Sequence, residues 1–350
     1  MVTDSRAPSQ AVAVVVMAFV MTPAIQRRCA ALIALHALHF SGHAAVQITQ
    51  EQLLYNLLEK QIVAADPAKA ADSEALAKLV NTQASRVLAL VVALGPGLGA
   101  LLISPVVGGL ADAYGRRWMA LVAPLGLALT RLNLAARPSV KAFVAYRILM
   151  GPLGILMGRS IILSRADLVP RHTLHFAREI ARQAQANLIV GLATSRIGQW
   201  LASRKETVGT ERALADSFYL AAAVNVAAFV AAIFVMKETL PPGPLRTPFS
   251  YKSSNPLSFI AFFRRSRLLT RLALFTALVQ LCHQQSYEGL FQMRQYGWGV
   301  AERTRHLMWH KVVQFFNCKM QHLARRLSLL SKKLRVQFTR SRCSGGGSGS

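Results

Sequence analysis

Long apolar runs separated by short charged or glycine-rich connections dominate this chain. A helix crosses a bilayer with about 20 mostly apolar residues. Runs near that length lie at 29–46, 86–107, 118–136, 142–163, 186–203, 213–236 and 268–290. Charges interrupt the runs at 186–203 and 268–290, which are the weaker predictions of the set. An earlier run, 11–25, falls short of a span and reads as an extra anchor, a signal-like segment or an amphipathic lead-in; Asp4 and Arg6 do not form a signal-peptide n-region. The pattern predicts an all-α integral membrane protein with its multi-pass bundle in a lipid bilayer. Residues 48–86 read as a long outer loop of mixed charge, in which Glu51–Tyr55 is either a short helix or the outer end of the first one.

Composition agrees: 53% of the 350 residues are hydrophobic, and the mean hydropathy is +0.34. A net charge of +26 would point to nucleic acid in a soluble protein. Here its distribution is more telling. Loops on the side of residues 109–117 carry 15 Lys and Arg: Arg27, Arg28, Arg116, Arg117, four in 164–185 and seven in 237–271. Opposite loops carry 10, with five carboxylates in the longest. The bias is modest, and its sign places residues 109–117 and the N-terminus in the cytoplasm. Nucleic acid is therefore not an expected partner.

Residues 109–117 read G-L-A-D-A-Y-G-R-R and follow the longest uncharged run, 87–107. A turn this short between two membrane helices needs glycine where helix ends meet, a carboxylate able to cap or pair, and arginines at the headgroups. A plain stop after any span accounts for Arg116 and Arg117 but not for Asp112 and Gly115. Further on, Arg147, Gly151, Gly154 and Gly158 are spaced 4, 3 and 4 residues apart and fall on one helix face. A charge inside a bilayer costs a few kcal/mol or more and faces a cavity or partner; otherwise Arg147 snorkels or locks helix packing. The three glycines suit close helix packing. In the first span His36, His39, His43 and Gln47 form a second polar stripe. It either lines a water-accessible site or hydrogen-bonds neighbouring helices.

The 109–117 stretch resembles the loop between helices 2 and 3 of the major facilitator superfamily, roughly G-x-L-x-D-x-x-G-R-R, here with Gly109, Asp112, Gly115, Arg116 and Arg117 as a gating motif. Arg147 with Gly151 and Gly154 is similar to the R-x-x-x-G-x-x-G of helix 4 in that family, where the arginine is implicated in proton or substrate coupling. K-E-T-L-P at Lys237 to Pro241 resembles the end of helix 6, with proline stopping the helix and Glu238 accepting local donors. The arrangement is closest to the tetracycline-efflux-like and hippocampus-abundant-transcript-like branches. The resemblance implies a six-helix bundle of two inverted three-helix repeats plus a partial seventh helix. It also implies secondary active transport of a small solute by alternating access. With helices 1 and 4 facing one site, the histidine stripe faces Arg147, and histidine's titration near neutrality suits proton coupling. The fifth span has Gly191, Arg196 and Gly198 without the proline of antiporter branches, so direction stays open.

Other chemistry is missing from the sequence. Cys29, Cys282, Cys318 and Cys343 are far apart and suggest neither a zinc ribbon nor a disulfide framework. His39 and His43 have no acidic or thiol ligand beside them, so no metal site is expected. There is no P-loop, G-x-G-x-x-G after a strand, H-E-x-x-H or G-x-S-x-G, which argues against an ATP-driven pump or an enzyme; no cofactor is expected.

The organisation reads as an N-terminal segment with a short apolar run (1–28), a six-helix transporter bundle (29–240), a basic cytoplasmic linker (241–267), a seventh helix with its following loop (268–300), and a basic tail ending in Gly and Ser (301–350). No second D-x-x-G-R-R-like loop follows, and from Arg303 onward there are 11 Lys and Arg but no Asp or Glu. A truncated form is the expectation, from an altered reading frame or splice event. Two other readings stay open: a basic segment that binds acidic lipids or RNA, and a seventh segment that does not span. Such a chain regains a second bundle as a homodimer or against a full-length relative. The alternative is a non-transporting membrane interaction or regulatory protein.

Overall fold

The computed structural model describes residues 22–47, 49–169, 174–204, 209–240, 242–243, 246–251 and 254–255, with single residues between 268 and 313. Most of the 11–25 run, most of 268–290 and nearly all of the tail lie outside the described residues. The chain divides into two compact units, Met1–Thr304 and Arg305–Ser350, and the bundle belongs to the first.

Helix α1 (Pro23–Val46) starts at Thr22, whose Oγ1 accepts from the Ile25 amide at 3.4 Å, with proline at the first helical position. It runs on into α2 (Thr49–Ala65), so that Pro23–Ala65 is 43 residues long. A 3₁₀ turn, Pro67–Ala71, leads to α3 (Ser73–Val92). The Asp72 carboxylate caps α3, accepting from the amides of Glu74 and Ala75 at 3.1 and 3.0 Å. A π-helical stretch, Ala93–Gly99, joins α3 to α4 (Ala100–Tyr114). Then come α5 (Arg117–Ala136), α6 (Val140–Leu168), α7 (Leu174–Ser203) and α8 (Thr210–Val235). No strand occurs among the described residues.

The 48–86 segment is thus not a loop. Leu53, Leu54, Leu57, Leu58 and Ile62 on α2 share a buried cluster with Leu76, Val80, Ala84 and Leu88 on α3. Their helical spacing buries one face of each helix, while the charged positions that suggested a loop occupy the others. The second span likewise begins at Ser73 rather than near 86. Among the described residues, five helices are long and apolar enough to cross a membrane: Pro23–Ala65, Ser73–Gly95, Arg117–Ala136, Val140–Leu168 and Arg212–Val235. Helix α7 has 30 residues but is more polar, carrying Arg178, Glu179, Arg182 and Arg196.

Packing follows a two-fold pattern. Helix α1 lies along α7 and α8, as α6 lies along the α3–α4 rod and α5; the α5–α8 pair maps onto itself. That is the relation of two inverted three-helix repeats. Glycines repeat it in detail. A Cβ at Gly95 would come 2.8 Å from the Arg147 carbonyl on α6, and one at Gly198 would collide with the Ala45 carbonyl on α1. Each marks a place where backbones approach too closely for any side chain.

Candidate functional site

At the end of the bundle where α4 turns into α5, Gly115 closes α4 with φ of 92° and ψ of −178°, a backbone region essentially confined to glycine. The turn aims successive backbone N–H groups at Glu238, just beyond α8. Its carboxylate accepts from the Arg116 amide at 3.1 and 3.0 Å and from the Arg117 amide at 3.2 Å. It also accepts from the amides of Thr239 and Leu240, each at 3.0 Å. Burial alone would raise the Glu238 carboxyl, but these backbone donors outweigh it and hold the group below its ordinary value.

The arginines extend the junction. Arg116, only 5% exposed, ion-pairs with Asp167 on α6 and lies 3.6 Å from Asp112. Its Nη1 donates to the Leu163 carbonyl at 3.1 Å, and Ser160 Oγ donates to the Arg116 carbonyl at 2.9 Å. Arg117 Nη2 donates to the Ile233 carbonyl in the last turn of α8 at 3.1 Å. Thr239 Oγ1 donates to Asp167 at 2.7 Å. The structure therefore brings Asp112, Gly115, Arg116 and Arg117 together and adds Ser160, Asp167 and Glu238. Gly109 sits apart from the carboxylates, where a Cβ would collide with Ser254 Oγ. Asp112 has the arginine four residues on as its partner and keeps half of its side chain exposed.

Inside the bundle, Arg147 is 6% exposed, and its Nη1 donates to Gln50 Oε1 at 3.1 Å. Gln50 lies three residues beyond Gln47 and continues the α1 stripe into α2. Helix α1 itself packs chiefly along α7 and α8. Accordingly His36 Nδ1 lies 3.1 Å from Asn187 Oδ1 on α7. His39 is buried, and His43 packs edge-on against Phe40 with ring centroids 6.1 Å apart. Gln47 is half-buried at the end of α1. On α6, a Cβ at Gly154 or Gly158 would meet nothing within 4 Å, and Gly151 is half-buried. The closest crossings use Gly42, Gly95 and Gly198 instead. Sequence reasoning also passed over Arg131, fully buried on α5. Among the described residues no group of three or more His, Cys, Asp or Glu is placed to hold a metal.

Comparison with curated proteins gives no match. The family model of the Major Facilitator Superfamily matches residues 73–308, a stretch that includes the Gly115 turn, Arg147 and Glu238. With a membrane bundle of inverted repeats and a match over most of its length, the chain belongs to the Major Facilitator Superfamily and is an integral, multi-pass protein of a membrane transport family.

Proposed function

We propose that this bundle is one of the two rocking bodies of a secondary active transporter, moving a small solute by alternating access with protons as the coupling ion. The observation that carries the reading is the buried Arg147–Gln50 contact between α6 and the α1–α2 rod. Polar groups of this kind are retained inside a membrane bundle where they serve a pathway. On the same α6 face, Gly154 and Gly158, about two and three turns further along the helix, leave space free of neighbouring atoms. The choice of protons rests on the imidazoles of His36, His39 and His43 along α1, side chains whose charge can change near neutral pH once water reaches them. The junction of Gly115, Arg116, Arg117, Asp167 and Glu238 ties the ends of α4, α5, α6 and α8 into one rigid end, which suits a body that moves as a unit. Alternating access needs a second bundle opposite this one.

The test is solute flux in proteoliposomes under an imposed pH gradient. Flux that collapses with Arg147→Ala, while the variant keeps its thermal midpoint, supports the reading. Absence of flux under every gradient, with co-purification of another multispan protein, would favour a non-transporting regulatory partner instead.

A further inference from the structure

Arg131 and its surroundings play no part in the gating turn or the Arg147–Gln50 contact. The side chain is 0% exposed, and none of its three guanidinium nitrogens has a hydrogen-bond partner among the described residues. Its Cζ lies 5.8 Å from the centroid of the Tyr146 ring on α6. The Tyr146 hydroxyl is buried and unpaired as well. Gly42 on α1 makes the space, since a Cβ there would come 2.8 Å from Arg131 Nη1 and would collide with Asn225 Nδ2 on α8. The Asn225 amide donates to the Ala221 carbonyl at 2.7 Å, leaving its Oδ1 unpaired. Four helices thus converge on one guanidinium, and no described carboxylate pairs with it.

A buried cation without a counter-charge is among the costliest arrangements a protein interior can hold. A ring face compensates only part of that cost. The planar fork of a guanidinium matches the two oxygens of a carboxylate or phosphate. Tyr146 adds a hydroxyl donor. Both arginines lie in the half of the bundle away from the Gly115 turn: Arg131 is five residues before the end of α5, and Arg147 is seven after the start of α6.

We propose that Arg131, with Tyr146, binds the oxyanion of the transported solute, which makes that solute a small organic anion bearing a carboxylate or phosphate. The solute's route rests on the transport reading above; the site itself is tested by binding. The full chain is placed in phosphatidylcholine nanodiscs, where no lipid carries net charge, and titrated with succinate or inorganic phosphate at ionic strength fixed by sodium chloride. The thermal midpoint is expected to rise by about 5 °C at saturation with at least one of the two. Arg131→Met should have a higher midpoint without anion and show no rise. Arg131→Lys, which keeps the charge but loses the fork, should bind about tenfold more weakly. No rise in the natural protein with either anion overturns the proposal. So does an equal rise in Arg131→Met, or a Met variant that is less stable or does not fold, because the protein itself would then be holding the charge. An anion-dependent rise without flux of any solute would remove the transport reading and leave the site. Flux of a neutral or cationic solute, insensitive to Arg131→Met, would do the reverse.

Discussion

Glu238 is the residue on which the gating turn closes, and its chemistry makes two expectations. Gly115→Ala puts a side chain into the Glu238 carboxylate at a backbone conformation that costs about 1–3 kcal/mol for a non-glycine residue. The thermal midpoint should fall, and Arg116 and Arg117 amides should lose protection from hydrogen exchange. The second concerns pH. A carboxyl held below its unfolded value of 4.5 contributes stability that is fully present above that value and is lost as pH falls through the lower, folded one. The natural protein should therefore lose stability on acidification below about pH 4.5, and Glu238→Gln should flatten that part of the profile. An unchanged profile in the variant would show that other carboxylates govern acid sensitivity. Gly115, Arg116 and Arg117 were legible in the sequence because their residue types suit a tight turn. Glu238 was legible only as a local acceptor, since the backbone amides it receives from across the bundle leave no mark in side-chain identity.

At the scale of elements, the glycines separate packing from open space. Gly95→Leu and Gly198→Leu force side chains into opposing backbones and should destabilise the bundle by about 1–3 kcal/mol or more. Gly154→Leu and Gly158→Leu meet nothing within 4 Å and should change stability by less than about 0.5 kcal/mol. On the transport reading those two variants nevertheless slow flux by filling open space along the α6 face. Equal destabilisation by all four would contradict this division. The apolar runs announced α5 almost to the residue and α6 and α8 to within five residues at either end, because a span's hydropathy is set by the lipid it meets. Helices α2 and α3 were harder to see: charged and polar residues interrupt their apolar positions, and their leucine faces bury against one another. The facing of the histidine stripe was likewise beyond the sequence, because the rotation of α1 depends on its contacts with α7 and α8.

For the whole molecule, the two-fold pairing of α1, α3–α4 and α5 with α6, α7 and α8 gives a bundle built from two copies of one packing plan. That the chain is an all-helical membrane bundle was legible from its apolar runs. What the bundle encloses was not, because Arg131 meets Gly42, Tyr146 and Asn225 only when four helices are assembled. The most direct measurement is uptake of a labelled panel of succinate, glucose and tetraethylammonium by proteoliposomes containing the purified chain, with a pH gradient imposed in either direction. The account expects gradient-driven uptake of succinate above protein-free vesicles, abolished by Arg147→Ala in a protein that remains folded. Uptake of all three at the protein-free rate in both directions, by protein with an intact thermal transition, would contradict it.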